Sequence, residues 1–147
     1  VANTVYLVGI TNWVQVTLTN VRCGFGTVGG TGHYDVGIYD ATGTNGAPVN
    51  LLAHAASSNT ALATSNGVQT PALIGGNIVL PPARYWLALW IDNATDLINR
   101  ETSRQNLGVV LSGTNAGPLP ALASSITSLG NGTLKPIIMG LITGGWS

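Results

Sequence analysis

The stretch Arg84-Tyr85-Trp86-Leu87-Ala88-Leu89-Trp90-Ile91-Asp92, residues 84–92, decides the fold. Successive side chains of a strand point to opposite faces. Tyr85, Leu87, Leu89 and Ile91 therefore line one face, and Trp86, Ala88 and Trp90 line the other. One stripe fills a core. The second must also be covered, because two indoles in line would be an adhesive surface. Three covers are open: another segment of the same chain, a neighbouring subunit, or a flat ligand such as a sugar.

Working outward, short apolar runs alternate with clusters of Gly, Asn, Thr, Ser and Pro along the whole chain, the pattern of an all-β sandwich or barrel. The runs predict about eight short antiparallel strands over 4–10, 13–25, 33–39, 49–55, 78–80, 84–92, 107–111 and 136–143, a number that fits a jelly roll. In 13–25, Val14, Val16 and Leu18 face one way and Trp13, Gln15, Thr17 and Thr19 the other. In 33–40, Tyr34, Val36 and Ile38 oppose Asp35, Gly37 and Tyr39. The expected core combines Val14, Val16, Leu18, Val36, Ile38, Leu87 and Leu89. One helical turn is expected over 120–129, where Leu122, Ile126 and Leu129 are spaced three and four apart before Gly130. Residues 57–67 read as a surface loop, and 113–120 as a linker into an extended C-terminal segment. Pro81-Pro82 cannot donate ladder hydrogen bonds, so a strand should begin just after them. The 147 residues suit a single sandwich domain, 1–147.

Only 7% of residues are charged, against roughly 25% in an ordinary soluble domain, and Lys+Arg 5 balances Asp+Glu 5 to a formal net charge of zero. Such a surface is poorly protected against self-association, so a homo-oligomer is expected. Five scattered cations make no patch for phosphates, so nucleic acid is not an expected partner. Hydrophobic content is 45%, yet no window approaches the ~20 apolar residues of a membrane span. The start, Val1-Ala2-Asn3-Thr4, shows no basic region followed by an apolar run, and no secretory signal is expected there.

Chemistry is sparse. Cys23 is the single cysteine, which excludes an intramolecular disulfide and a thiolate pair for zinc; it reads as a small buried hydrophobe. His33 and His54 lie in different expected strands without ligand spacing, and no nucleophile-elbow, zinc-protease or phosphate-loop motif occurs. No catalytic, cofactor-binding or metal residues are expected. Asp92-Asn93-Ala94-Thr95-Asp96 offers oxygen ligands of the kind calcium prefers, but it lacks the glycine and terminal acid of an EF-hand loop and reads as a turn. The sequons at Asn93 and Asn131 read as coincidences of an Asn/Thr-rich chain. Trp13, Trp86 and Trp90 are the candidate interface or glycan contacts, since indoles stack on sugars and are enriched at interface centres.

The run His33-Tyr34-Asp35-Val36-Gly37-Ile38-Tyr39-Asp40-Ala41-Thr42-Gly43, followed by Ile78-Val79-Leu80-Pro81-Pro82-Ala83-Arg84-Tyr85-Trp86-Leu87-Ala88-Leu89, resembles a β-sandwich domain of tailed-bacteriophage structural proteins. Such domains occur in tail fibres, spikes and head-decoration or head-fibre proteins. The resemblance spans about residues 33–92, with Ala83 standing where a glycine usually sits. It implies a jelly-roll-like, commonly trimeric virion component, bound to other virion proteins or to host-surface glycans, with no catalytic residues. A carbohydrate-binding module is the alternative, and would need an aromatic patch open to solvent. A small hydrolase would need two converging acids or a Ser-His pair.

Overall fold

The computed structural model describes residues 3–26, 32–55, 67–93, 110–132, 136 and 138–143. The described residues form two antiparallel sheets packed face to face, an all-β sandwich. The larger sheet has the order β4(Leu51–His54), β3(Tyr34–Asp40), β7(Ala83–Ile91), β1(Thr4–Asn12), β8(Val110–Thr114), β9(Thr127–Asn131). The smaller is built on β2(Val16–Phe25), with β10(Ile138–Ile142) on one side and both β5(Gly67–Gln69) and β6(Ile78–Leu80) on the other.

At the centre, β1 and β7 pair in unbroken register from Thr4↔Ile91 to Asn12↔Ala83. Their continuations pair again in the other sheet, Val16↔Leu80 to Leu18↔Ile78. Residues 4–18 and 78–91 are thus one double-stranded ribbon that bends from sheet to sheet at 13–15 and 81–82. Pro81 and Pro82 fit the bend because neither has an N–H to leave unpaired. The ribbon thus belongs to both sheets and ties them together.

The bend corrects the expectation for the second strand. It begins at Val16, and Trp13 and Val14 belong to the corner, where alternation no longer sets direction. Val14 is 65% exposed and outside the core. The other six expected core residues do meet: Leu18, Val36, Ile38, Leu87 and Leu89 are buried in one cluster, with Val16 packed against it. Further along β2, Leu18 and Val21 both face inward. The partner register jumps there from Leu141↔Asn20 to Ile142↔Leu18, a bulge that shifts the face by one residue.

Other boundaries moved for similar reasons. Gly113, expected in a linker, sits inside β8 opposite Val5. The helical turn over 120–129 shrinks to a 3-10 turn at Ala123–Ser125, after which the chain joins the sheet as β9, so Gly130 is a strand residue and ends no helix. β5 and β9 were not expected. They are three and five residues long, and neither shows an apolar stripe. Residues 57–66 of the expected loop and 107–109 of the expected strand lie outside the described residues. No helix among the described residues is long and apolar enough to cross a membrane.

Leu89 has no exposed surface and lies at the centre of the inter-sheet core. Leu89→Ala should cost about 2–5 kcal/mol by lost transfer energy plus cavity, measurable as a lowered midpoint of urea unfolding.

Candidate functional site

The two-faced strand β7 meets a third layer. Trp86 and Trp90 are 4% and 5% exposed, and they pack with Val5, Leu7, Tyr39 and Ala88 under Leu119, Ala123 and Ile126. The cover is the chain's own segment 115–126, which crosses the outer face of the larger sheet. Of the three covers left open by the sequence, intrachain packing is the one found. Trp86 and Trp90 are therefore not surface contacts in this chain: each ring buries on the order of 150–250 Å² against residues of its own fold.

A strap with little regular structure needs partners for its backbone groups, and the sheet beneath supplies them from side chains. Trp90 Nε1–H donates to the Asn115 carbonyl at 2.9 Å and the Tyr39 hydroxyl to the Pro120 carbonyl at 2.6 Å. The Leu119 N–H donates to Asp35 Oδ2 at 3.1 Å. Trp86 Nε1–H pins a different loop through the Gly46 carbonyl at 2.9 Å. Close approach also requires small residues below. A Cβ on Gly113 would stand 2.6 Å from Ile126 Cγ2, and one on Gly37 would stand 2.6 Å from the Ala53 carbonyl oxygen of β4 and 3.0 Å from Leu119 Cδ1.

Asp35 is the most connected polar group here and is completely buried. Besides Leu119, its carboxylate accepts from the Ala55 N–H at 3.2 Å and from His54 Nδ1 at 2.9 Å. An ionised carboxylate only accepts, so His54 donates from Nδ1. One carboxylate thus ties the edge strand β4 and the strap to β3. Burial, with the Asp35 charge as the lesser cause, drives the Tyr39 hydroxyl upward in pKa and keeps it a donor.

His33 is held similarly. Its N–H and Nδ1 both lie 2.7 Å from Asp92 carboxylate oxygens. Both oxygens of the Asp92 carboxylate are thereby engaged by the same residue. Asp96, the other acid of the 92–96 stretch, lies outside the described residues, and no group of three or more His, Cys, Asp or Glu with metal-binding geometry occurs among the described ones. Cys23 is buried, and burial pushes its thiol up to about 12. A shallow, uncharged depression of about 370 Å³ lies between Asn3, Thr114, Asn115, Ala116 and Thr127.

Trp13 is the exception among the three candidate tryptophans, the fourth, Trp146, lying outside the described residues. It is 86% exposed, at the corner where the ribbon bends, with Val14, Gln15, Pro81 and Pro82 exposed beside it. Immediately before it, Asn12 Nδ2 is buried without a hydrogen-bond partner. An orphaned buried donor costs about 1–3 kcal/mol and is uncommon enough to need a cause. Sequence alternation grouped Trp13 with Trp86 and Trp90; the corner separates them. It gave no sign of the Asp35 network beyond placing Asp35 on the face of Gly37 and Tyr39.

The chain matches no family model, no curated protein and no solved structure.

Asp35→Ala leaves two backbone N–H groups and His54 without their acceptor, and should lower unfolding free energy by about 3 kcal/mol or more; Trp13→Ala should stay within about 0.5 kcal/mol. Equal losses in denaturant titrations would contradict this assignment. The raised pKa and burial of Cys23 predict no reaction with a thiol-labelling reagent at pH 8 in native protein and full reaction in denaturant, followed by mass spectrometry.

Proposed function

We propose that this chain is a non-enzymatic structural component of a bacteriophage particle, of the head-decoration, head-fibre or tail-fibre type, acting in particle assembly or host-surface attachment. The observation that carries the reading is the surface. The chain carries few charges for it, 7% of residues, and it exposes large apolar side chains in several places, Val68, Ile74 and Val79 from the smaller sheet and its connections and Leu52 with Leu122 beside β4. A free monomer with few charges has little to oppose association through such patches. A subunit whose faces are covered by neighbours has no such liability. The resemblance over residues 33–92 points to the same class and to a trimer.

A second reading, a carbohydrate-binding module, is favoured by the exposed indole of Trp13, the one exposed tryptophan among the described residues. It differs from the first in needing no particle, and the two meet if the domain is the attachment end of a fibre.

The virion reading expects the chain to be present in stoichiometric amounts when purified particles are analysed by quantitative mass spectrometry, and expects sedimentation equilibrium of the purified protein to return three times the 15.0 kDa chain mass. A chain absent from particles, or monomeric at high concentration, contradicts the virion or the trimer claim respectively.

A further inference from the structure

β10 reads Ile138-Met139-Gly140-Leu141-Ile142, five residues without a charge or a proline. It is an outer strand of the smaller sheet, paired with β2 alone among the described residues. We propose that a second copy of the chain adds its own β10 to this edge, antiparallel and centred on Gly140. The inference rests on the assembly half of the function proposed above and names the surface that meets a neighbour.

Backbone direction fixes what the edge offers. Thr143 N–H donates to the Thr17 carbonyl of β2 at 3.1 Å. Backbone groups alternate in direction along a strand, so Leu141 and Met139 also turn theirs toward β2, while Ile142, Gly140 and Ile138 turn theirs outward. The irregularity of this pair lies on β2, where Thr19 is skipped between Leu141↔Asn20 and Ile142↔Leu18, and the alternation of β10 is kept. The outward N–H and C=O groups make no turn or loop hydrogen bond among the described residues. The strand itself is well anchored. Ile138 and Ile142 pack into the inter-sheet core, and a Cβ on Gly140 would stand 2.7 Å from Leu18 Cδ1.

The near-palindrome of the sequence identifies the partner. Turned antiparallel about Gly140, it sets Ile138 opposite Ile142, Met139 opposite Leu141 and Gly140 opposite itself. Each outward pair exchanges two hydrogen bonds, and no like charges are brought together. The other edges do not compete. In the larger sheet, β4 is engaged through Leu51 N–H and the His54 carbonyl, and β9 pairs through a bulge. On the far side of the smaller sheet the ladder is split between β5 and β6, with one bridge, Asn20↔Ala72, between them. A contact made by the same residues on both partners is two-fold, so it joins neighbouring trimers and not the subunits within one. A five-residue edge buries less than the about 800 Å² per partner of a stable interface. The contact is therefore transient between free molecules, and persists where a particle holds copies side by side at effective concentrations on the order of millimolar.

Two measurements on the full chain test this. Met139→Cys and Leu141→Cys variants, mixed under a mild oxidant, should form a disulfide-linked heterodimer, because residues 139 and 141 of the two copies lie opposite each other with Cα atoms about 4.5 Å apart. Either variant alone should not, since its own two thiols sit diagonally, at about 7–8 Å between Cα atoms, beyond disulfide reach. Cys23 is buried and stays out of the reaction. Melting temperatures check that the variants fold, and the second measurement needs no substitution. In the unmodified chain, hydrogen exchange at the amides of Ile138, Gly140 and Ile142 should slow at least ~10-fold between micromolar and millimolar protein, while the Met139 and Leu141 amides, which face β2, stay unchanged. A mixture no more cross-linked than its components overturns the proposal, and so does exchange at the three outward amides that is independent of concentration. Full protection of those amides in dilute protein would assign the edge to the chain's own residues. Neither readout depends on whether the chain occurs in particles, so failure here and failure of the virion reading are separable.

Discussion

Both faces of β7 are apolar, and everything peripheral in this molecule follows from having to cover each of them. A two-sheet sandwich buries one face of each sheet. It leaves Trp86, Ala88 and Trp90 facing water, together with Val5 and Leu7 from the neighbouring strand. Segment 115–126 resolves this by lying across the larger sheet as a third layer. The cost of that solution is polar: an irregular strap brings carbonyl and N–H groups to a surface where water is excluded. Tryptophan and tyrosine suit such a face because each contributes a large ring and one donor, and the donors of Trp90 and Tyr39 meet strap carbonyls. Asp35 performs the converse task by accepting from strap and edge-strand N–H groups.

The same contacts close an edge of the larger sheet. β4 would otherwise present free backbone groups, a template for pairing with another chain. Leu51 N–H instead donates to the Ala121 carbonyl and Ala123 N–H to the Val49 carbonyl, while the His54 carbonyl accepts from Ile74 N–H. At the opposite edge, β9 pairs through a bulge, with Ser128 at a φ of 55°. Such a bulge twists the edge away from a flat partner. In a chain with so few charges to keep copies apart, the blunted edges of the larger sheet shift association there toward exposed side chains.

Legibility in the sequence tracked how far each signal was local. The apolar alternation of β1, β3 and β7 is set residue by residue, and the core built from Val36, Ile38, Leu87 and Leu89 follows from it. Where a tertiary event interrupts alternation, sequence and structure part. Trp13 and Val14 continue the two-residue period in the sequence, yet the ribbon turns between sheets there, and the position of that turn is fixed by pairing with residues about seventy positions away. β5 and β9 have no apolar stripe of their own and exist because a partner strand offers them a ladder. The site was half legible: alternation grouped three tryptophans, and only tertiary structure separates two that bind the chain to itself from one that faces outward. The unpartnered amide of Asn12 had no sequence signal, because satisfaction of a donor is a property of its surroundings.

The ribbon has a consequence for how the chain reaches this state. The central ladder joins Asn12 to Ala83 and Thr4 to Ile91, loops of about 70 to 90 residues that must close before any of the pairing is rewarded. Non-local β pairing of this kind places the sandwich among slow-folding topologies. During synthesis at about 5–20 residues per second, β1 is made several seconds before β7, and for that interval Val5, Leu7 and their neighbours have no strand to join. The alternating apolar run that specifies the fold is thus also its most vulnerable segment until residue 91 has emerged, which makes the nascent chain, rather than the finished domain, the species most in need of protection.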